Sequence, residues 1–149
     1  MVYMTFKESS KKHLQTCQCL IHTLESCNQE KKYLLSNILY LTGYTIETIL
    51  KYRIFANLSY ARDKDIKDVK IGSITWDAIK THDLRNLLRH LKMQENRNLF
   101  NELQTNTFFK DWDKMYHEKA RYENNTMHNK DEILEFFDLS KKLVQTLTH

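Results

Sequence analysis

Not one of the chain's 149 residues is proline, and only Gly43 and Gly72 are glycine. Average usage would place about seven prolines and about ten glycines in a chain of this length. Sandwiches, barrels and α/β folds need those residues at their many turns, where a fixed or positive φ must be supplied. A chain nearly without them has few tight connections and long regular segments. The fold class that follows is all-α, an up-and-down bundle of four to five helices. At this length residues 1–149 form one domain, large enough to bury roughly two-thirds of the unfolded surface around a single core.

Hydrophobic periodicity divides the chain accordingly. A first helix is expected from about Thr5 to Ser26, with Phe6, Cys17, Leu20, Ile21 and Leu24 as its seam. CNQEKK reads as a short turn into a longer helix from about Glu30 to Leu58, antiparallel to the first. On this second helix Leu34, Leu35, Ile38, Leu39, Leu41, Ile46, Ile49 and Leu50 share one wide arc. Beside the arc a second stripe, Tyr40, Tyr44, Glu47 and Lys51, points away from the main core. Gly43 lies between them, and a mid-helix glycine, which costs about 1 kcal/mol relative to alanine, implies close approach of another backbone. ARDKDIKDVK reads as a solvated connection, with Gly72 marking a turn before ITWDAIK.

A third helix fits HDLRNLLRHLK, with Thr81 as cap and Leu84, Leu87, Leu88 and Leu91 inward. A short fourth covers about Asn98 to Leu103, and Phe108, Phe109, Trp112 and Tyr116 form an aromatic patch packing over the end of the bundle. The last helix begins at NKDE, where Asn129 caps and Glu132 completes a capping-box-like arrangement. Its seam is Ile133, Phe136, Phe137, Ser140, Leu143, Val144 and Leu147. His128 then stands just outside a helix N-terminus, where free N–H groups and the helix dipole attract phosphate.

The net charge of +4 is spread along the chain, which permits a polyanionic partner without demanding one. The start, MVYMTFKESSKKH, lacks the apolar core of a signal peptide, and Tyr33 to Leu50 is interrupted by Asn37 and Glu47, so no membrane span and a cytoplasmic location are expected. Three cysteines, Cys17, Cys19 and Cys27, exclude a complete disulfide framework. His13, Cys17, Cys19 and His22 are near enough in sequence to raise zinc, but on a helix Cys17 and Cys19 diverge by about 200°. No metal and no cofactor are expected, and reduced thiols, one of them in the core, are the better account.

Four segments in order, GYTIETILK (Gly43 to Lys51), THDLRNLL, the aromatic stretch from Trp112 to Tyr122, and RYENNTMH (Arg121 to His128), resemble the HEPN domain. The resemblance spans about Lys32 to Leu147. Arg121 and His128 are separated by six residues, as in the Arg and His motif of HEPN nucleases. Arg85 and His90, separated by four residues, also fall within that motif's range of four to six, but they lie in the HDL-type helix, where the family is not catalytic.

The resemblance implies a HEPN-like bundle and a metal-independent endoribonuclease of the toxin or defence type. It would cut single-stranded RNA at a homodimer cleft. Arg121 would clamp the scissile phosphate bidentately, and His128, whose charge changes near working pH, would act as general acid or base. Attack by the 2′-OH leaves a 2′,3′-cyclic phosphate and spares DNA. Glu47, the acidic residue of GY-x-x-E, would either orient Arg121 or pair with Lys51 one turn on. Tyr44, Lys51, Tyr122 and Asn125 are the implied substrate contacts, with the two tyrosines also suited to packing. Glu47, Arg121 and His128 are expected to converge on one cleft.

Tyr122 follows Arg121 where active members commonly carry a small polar residue. A second reading therefore stays open: a non-catalytic HEPN domain that binds nucleotide or nucleic acid, or is the helical partner of a nucleotidyltransferase or defence protein. Implied partners are RNA, a second copy of the chain, and an antitoxin, nucleotidyltransferase or larger defence complex.

Overall fold

The computed structural model describes residues 1–26, 31–91, 96–117 and 129–148, and these form an all-α bundle. The helices are α1 (Met4–Ser26), α2 (Lys31–Asn57), α3 (Trp76–Ile79), α4 (Leu84–Arg89), α5 (Arg97–Thr105), α6 (Thr107–His117) and α7 (Lys130–Leu147). The described residues thus hold more helices than four to five, because α3 and α4, of 4 and 6 residues, add to the longer ones. Between α2 and α3 lie a 3-10 turn (Ile66–Asp68) and a minimal hairpin, β1 (Lys70–Ile71) with β2 (Ile74–Thr75). Gly72 turns that hairpin at φ +60°, the conformation that favours glycine. No helix among the described residues is long and apolar enough to cross a membrane.

α1 and α2 run antiparallel. Tyr3 and Phe6 stack on Phe55 at one end, His13 meets Tyr44 in the middle, and the Cys17 thiol lies 3.7 Å from the Ile38 carbonyl further along. α7 packs on α2 through the buried seam Ile133, Phe136, Leu139, Ser140, Leu143, Val144 and Leu147. Leu139 takes the buried place expected of Phe137, which is only half covered. Asn129 caps α7 by accepting from the Asp131 N–H at 2.7 Å.

α2 is the central helix, and it is covered almost all round. Thr42, Gly43, Thr45, Glu47, Lys51 and Tyr52 are buried together with Ile38, Leu39, Ile46, Ile49 and Leu50. The stripe of Tyr40, Tyr44, Glu47 and Lys51 therefore does not point away from the core: α6 covers it. The threonines are accommodated because Thr45 and Thr48 donate to the carbonyls of Leu41 and Tyr44, both at 2.7 Å.

Gly43 permits a close approach, though of a side chain and not of a backbone. The six-membered ring of Trp112 lies flush on its Cα, and a Cβ there would overlap the ring. The aromatic patch is accordingly at the middle of α2, not over the end of the bundle, with Trp112 fully buried and Phe108 reaching Phe136 of α7 at 5.5 Å.

α2 ends in a Schellman motif. Tyr60 N–H donates to Phe55 C=O and Ser59 N–H to Ala56 C=O, both at 3.1 Å, with Ser59 left-handed at φ 52°. α4 stops at Arg89, with His90 as C-cap, short of the expected end of HDLRNLLRHLK. Its cap is Asp83, not Thr81, since the Asp83 carboxylate accepts from the N–H groups of Arg85 and Asn86.

Two stability outcomes follow. Gly43→Ala, which would ordinarily strengthen a helix, lowers stability here by about 1–3 kcal/mol through overpacking against Trp112. Urea unfolding reads this, and the loss shrinks when the alanine is combined with Trp112→Leu. Ser59→Gly relieves a left-handed L-residue and raises stability by about 1 kcal/mol in the same assay.

Candidate functional site

The middle of α2 carries an ionised cluster inside the bundle. Glu47 and Lys51 are one turn apart, and the Lys51 ammonium donates to Glu47 Oε1 at 2.8 Å, with side chains only 6% and 7% exposed. Two further donors reach the same carboxylate from other elements. Trp112 of α6 donates its indole Nε1–H to Oε2 at 3.2 Å, and His82, just before α4, approaches both oxygens through Nδ1 at 3.0 and 3.1 Å. The carboxylate can only accept, so Nδ1 carries the proton.

Local sequence explains each placement. Gly43 admits the indole, and the descent from Gly43 to Glu47 along one helical turn puts the carboxylate where Nε1 points. In THDL the hydroxyl of Thr81 accepts from the Asp83 N–H at 3.0 Å while Asp83 caps α4, so the backbone is fixed on both sides of His82. The His82 ring stacks on Tyr116 with centroids 3.5 Å apart and planes at 20°. Tyr44 meets Trp112 and Tyr116 edge-on at 5.6 and 5.8 Å. Lys51 also lies 6.0 Å from the ring of Trp76.

Among the described residues every buried side-chain nitrogen and oxygen has a hydrogen-bond partner. The cluster is thus complete by that measure, with one member at the surface: His82 is 25% exposed.

Of the residues expected to form the site, Glu47, Lys51 and Tyr44 are brought together. Glu47 takes the Lys51 pairing, one of the two roles open to it. Lys51, expected to contact substrate, is instead buried with its ammonium on Glu47, and Tyr44 is half-buried among aromatic rings, which is its packing role. Arg121, Tyr122, Asn125 and His128 lie outside the described residues, as does Cys27.

His82 and Trp112 are the partners that sequence reasoning missed. Both lie in segments that carry the resemblance, THDLRNLL and the aromatic stretch, but nothing in the spacing ties them to Glu47. The second Arg and His pair, Arg85 and His90, does not share a helix face. Five residues of helix turn Arg85 and His90 about 140° apart, and Arg85 is half-exposed with its Nε 4.0 Å from Asp83.

The α1 histidine and cysteines do not gather either. His13 packs on Tyr44, and its pKa is lowered by burial and then by Lys12. The Cys17 thiol is pushed up to about 11 by burial, while Cys19 is exposed. Among the described residues no group of three or more His, Cys, Asp or Glu side chains is placed to hold a metal ion.

The chain matches no protein-family model, no curated protein and no solved structure.

Removing Glu47 strands a buried ammonium and two N–H donors. Glu47→Ala is expected to lower stability by about 3–5 kcal/mol, whereas Glu47→Leu combined with Lys51→Met recovers most of that loss. Chemical denaturation of the three proteins checks it.

Proposed function

We propose that the chain is a HEPN-type domain of the toxin or defence class, a cytoplasmic homodimer that cleaves single-stranded RNA without a metal ion. Arg121 holds the scissile phosphate and His128 transfers a proton. The observation that supports this reading most is a convergence. GYTIETILK supplies Glu47 and Lys51, THDLRNLL supplies His82, and the aromatic stretch supplies Trp112, and all of them meet at one carboxylate. Those are three of the four segments on which the resemblance rests, and the fourth, RYENNTMH, lies between α6 and α7 in the sequence.

One observation favours the non-catalytic reading. A carboxylate offers about four acceptor sites, and three donors already occupy Glu47, which leaves little for orienting Arg121. In that case the cluster pins the bundle, and the domain binds nucleotide or nucleic acid, or serves a nucleotidyltransferase or defence partner, without cutting.

Incubating wild type, Arg121→Ala and His128→Ala with single-stranded RNA in EDTA separates the two. The nuclease reading expects 2′,3′-cyclic phosphate ends, no cleavage of DNA, and losses of about 100-fold or more in each variant. RNA that is bound but left intact by wild type decides for the non-catalytic domain.

A further inference from the structure

Beyond the C-terminal end of α2 lies a cavity of about 500 Å³ whose lining includes Ser59, Tyr60, Lys64, Asp68, Lys70 and Ile71. Its walls are fixed by the backbone between α2 and α3. Ser59 and Tyr60 complete the Schellman motif, the Tyr60 ring packs on Phe55 with centroids 5.3 Å apart, and the Tyr60 hydroxyl donates to the Asp65 carbonyl at 2.7 Å. The Asp65 carboxylate accepts from the Lys67 N–H at 2.9 Å to cap the 3-10 turn, and Ile66 and Val69 anchor that turn in the core. A hollow shaped without its ligand loses little freedom on binding one. Its charged side chains leave one another alone. Three aspartates stand between Arg62 and Lys70, yet among the described residues neither Lys64 nor Lys70 is ion-paired, and Asp68 lines the cavity without pairing with either. Ile71 adds a large apolar side chain at the same place, 40% exposed on a strand whose two residues both face solvent.

We propose that this cavity binds a small organic phosphate, a phosphate monoester with an apolar body. A monoester is close to a dianion at neutral pH, which matches the two ammonium groups of Lys64 and Lys70. A monocarboxylate would satisfy only one of them. The Asp68 carboxylate can only accept hydrogen bonds, so it opposes a second anionic group on the ligand and restricts the site to one phosphate. The apolar body lies against Ile71 and Tyr60 and takes the exposed isoleucine out of water. At about 500 Å³ the cavity falls within the range of small-molecule sites. It stands apart from the cluster around Glu47 in the middle of α2, and it does not rest on the nuclease reading.

Phenyl phosphate is the probe, titrated by calorimetry into the full chain at neutral pH beside inorganic phosphate and benzoate. Wild type is compared with the double variant Lys64→Ala, Lys70→Ala, with Ile71→Ser, and with Lys11→Ala, an exposed lysine of α1 outside the lining. Every substituted side chain is exposed, and thermal unfolding checks that each variant folds. The expected result is saturable one-to-one binding of phenyl phosphate, about tenfold or more tighter than either comparison anion. Loss of both lysines weakens it by about tenfold or more, whereas Lys11→Ala stays within about twofold of wild type. Ile71→Ser weakens phenyl phosphate by about fivefold and leaves inorganic phosphate unchanged. Binding that does not saturate, or a double variant that binds like wild type, overturns the site. Benzoate held as tightly as phenyl phosphate overturns the choice of a dianion, and inorganic phosphate held as tightly overturns the apolar body. An equal loss in Lys11→Ala overturns the proposal as an effect of surface charge alone. Should the double variant unfold early, Lys64→Gln with Lys70→Gln takes its place, and the same comparison decides.

Discussion

A carboxylate inside a helical bundle has to be neutralised and hydrogen-bonded, and in this chain that requirement organises the fold. Leaving Glu47 ionised and alone in the core would cost several kcal/mol. Its solution draws one donor from its own helix, one from α6 and one from His82, two residues before α4. Three elements distant in sequence are therefore tied at one point. Apolar packing alone would tolerate a range of positions for a short helix such as α4. A directional contact to two oxygens does not.

The tie depends on Gly43. Only a residue without a Cβ lets the Trp112 ring lie on the backbone of α2, and only from that depth does the indole N–H reach Glu47. The glycine weakens the isolated helix, yet it allows a wholly buried tryptophan and a satisfied carboxylate one turn on. This also explains why α2 departs from the amphipathic pattern of a surface helix. α1 and α7 cover its apolar arc, while α6 and α4 cover the polar stripe, so the polar residues are buried by design of the surrounding elements and not by their own hydrophobicity.

The fold class was legible because it rests on what the chain lacks. Without proline, and with glycine confined to Gly43 and Gly72, long helices were the economical outcome, and α1, α2, α5 and α7 fall close to where periodicity put them. The burial of Glu47 and Lys51 was not legible. Helical projection reports which residues share a face, but says nothing about what covers that face. An aromatic segment of Phe108, Phe109, Trp112 and Tyr116 reads as packing material, and its destination is set by a single missing methyl group sixty-nine positions earlier. The short helix α4 was overextended for a related reason: leucines at helical spacing continue to Leu91, but the chain leaves the helix at His90 and still buries Leu91.

Histidine placement shows what a spacing motif can and cannot carry. His90 follows Arg85 at a permitted interval, yet the helix between them turns the two side chains to different faces, and the Arg85 guanidinium sits at the surface with only a 4.0 Å approach to Asp83. His82 belongs to no interval motif, and its ring is held by a carboxylate, a stacked tyrosine and a capped backbone. A ring held from several sides is fixed by contacts between elements distant in sequence, which a count of residues between Arg and His does not register.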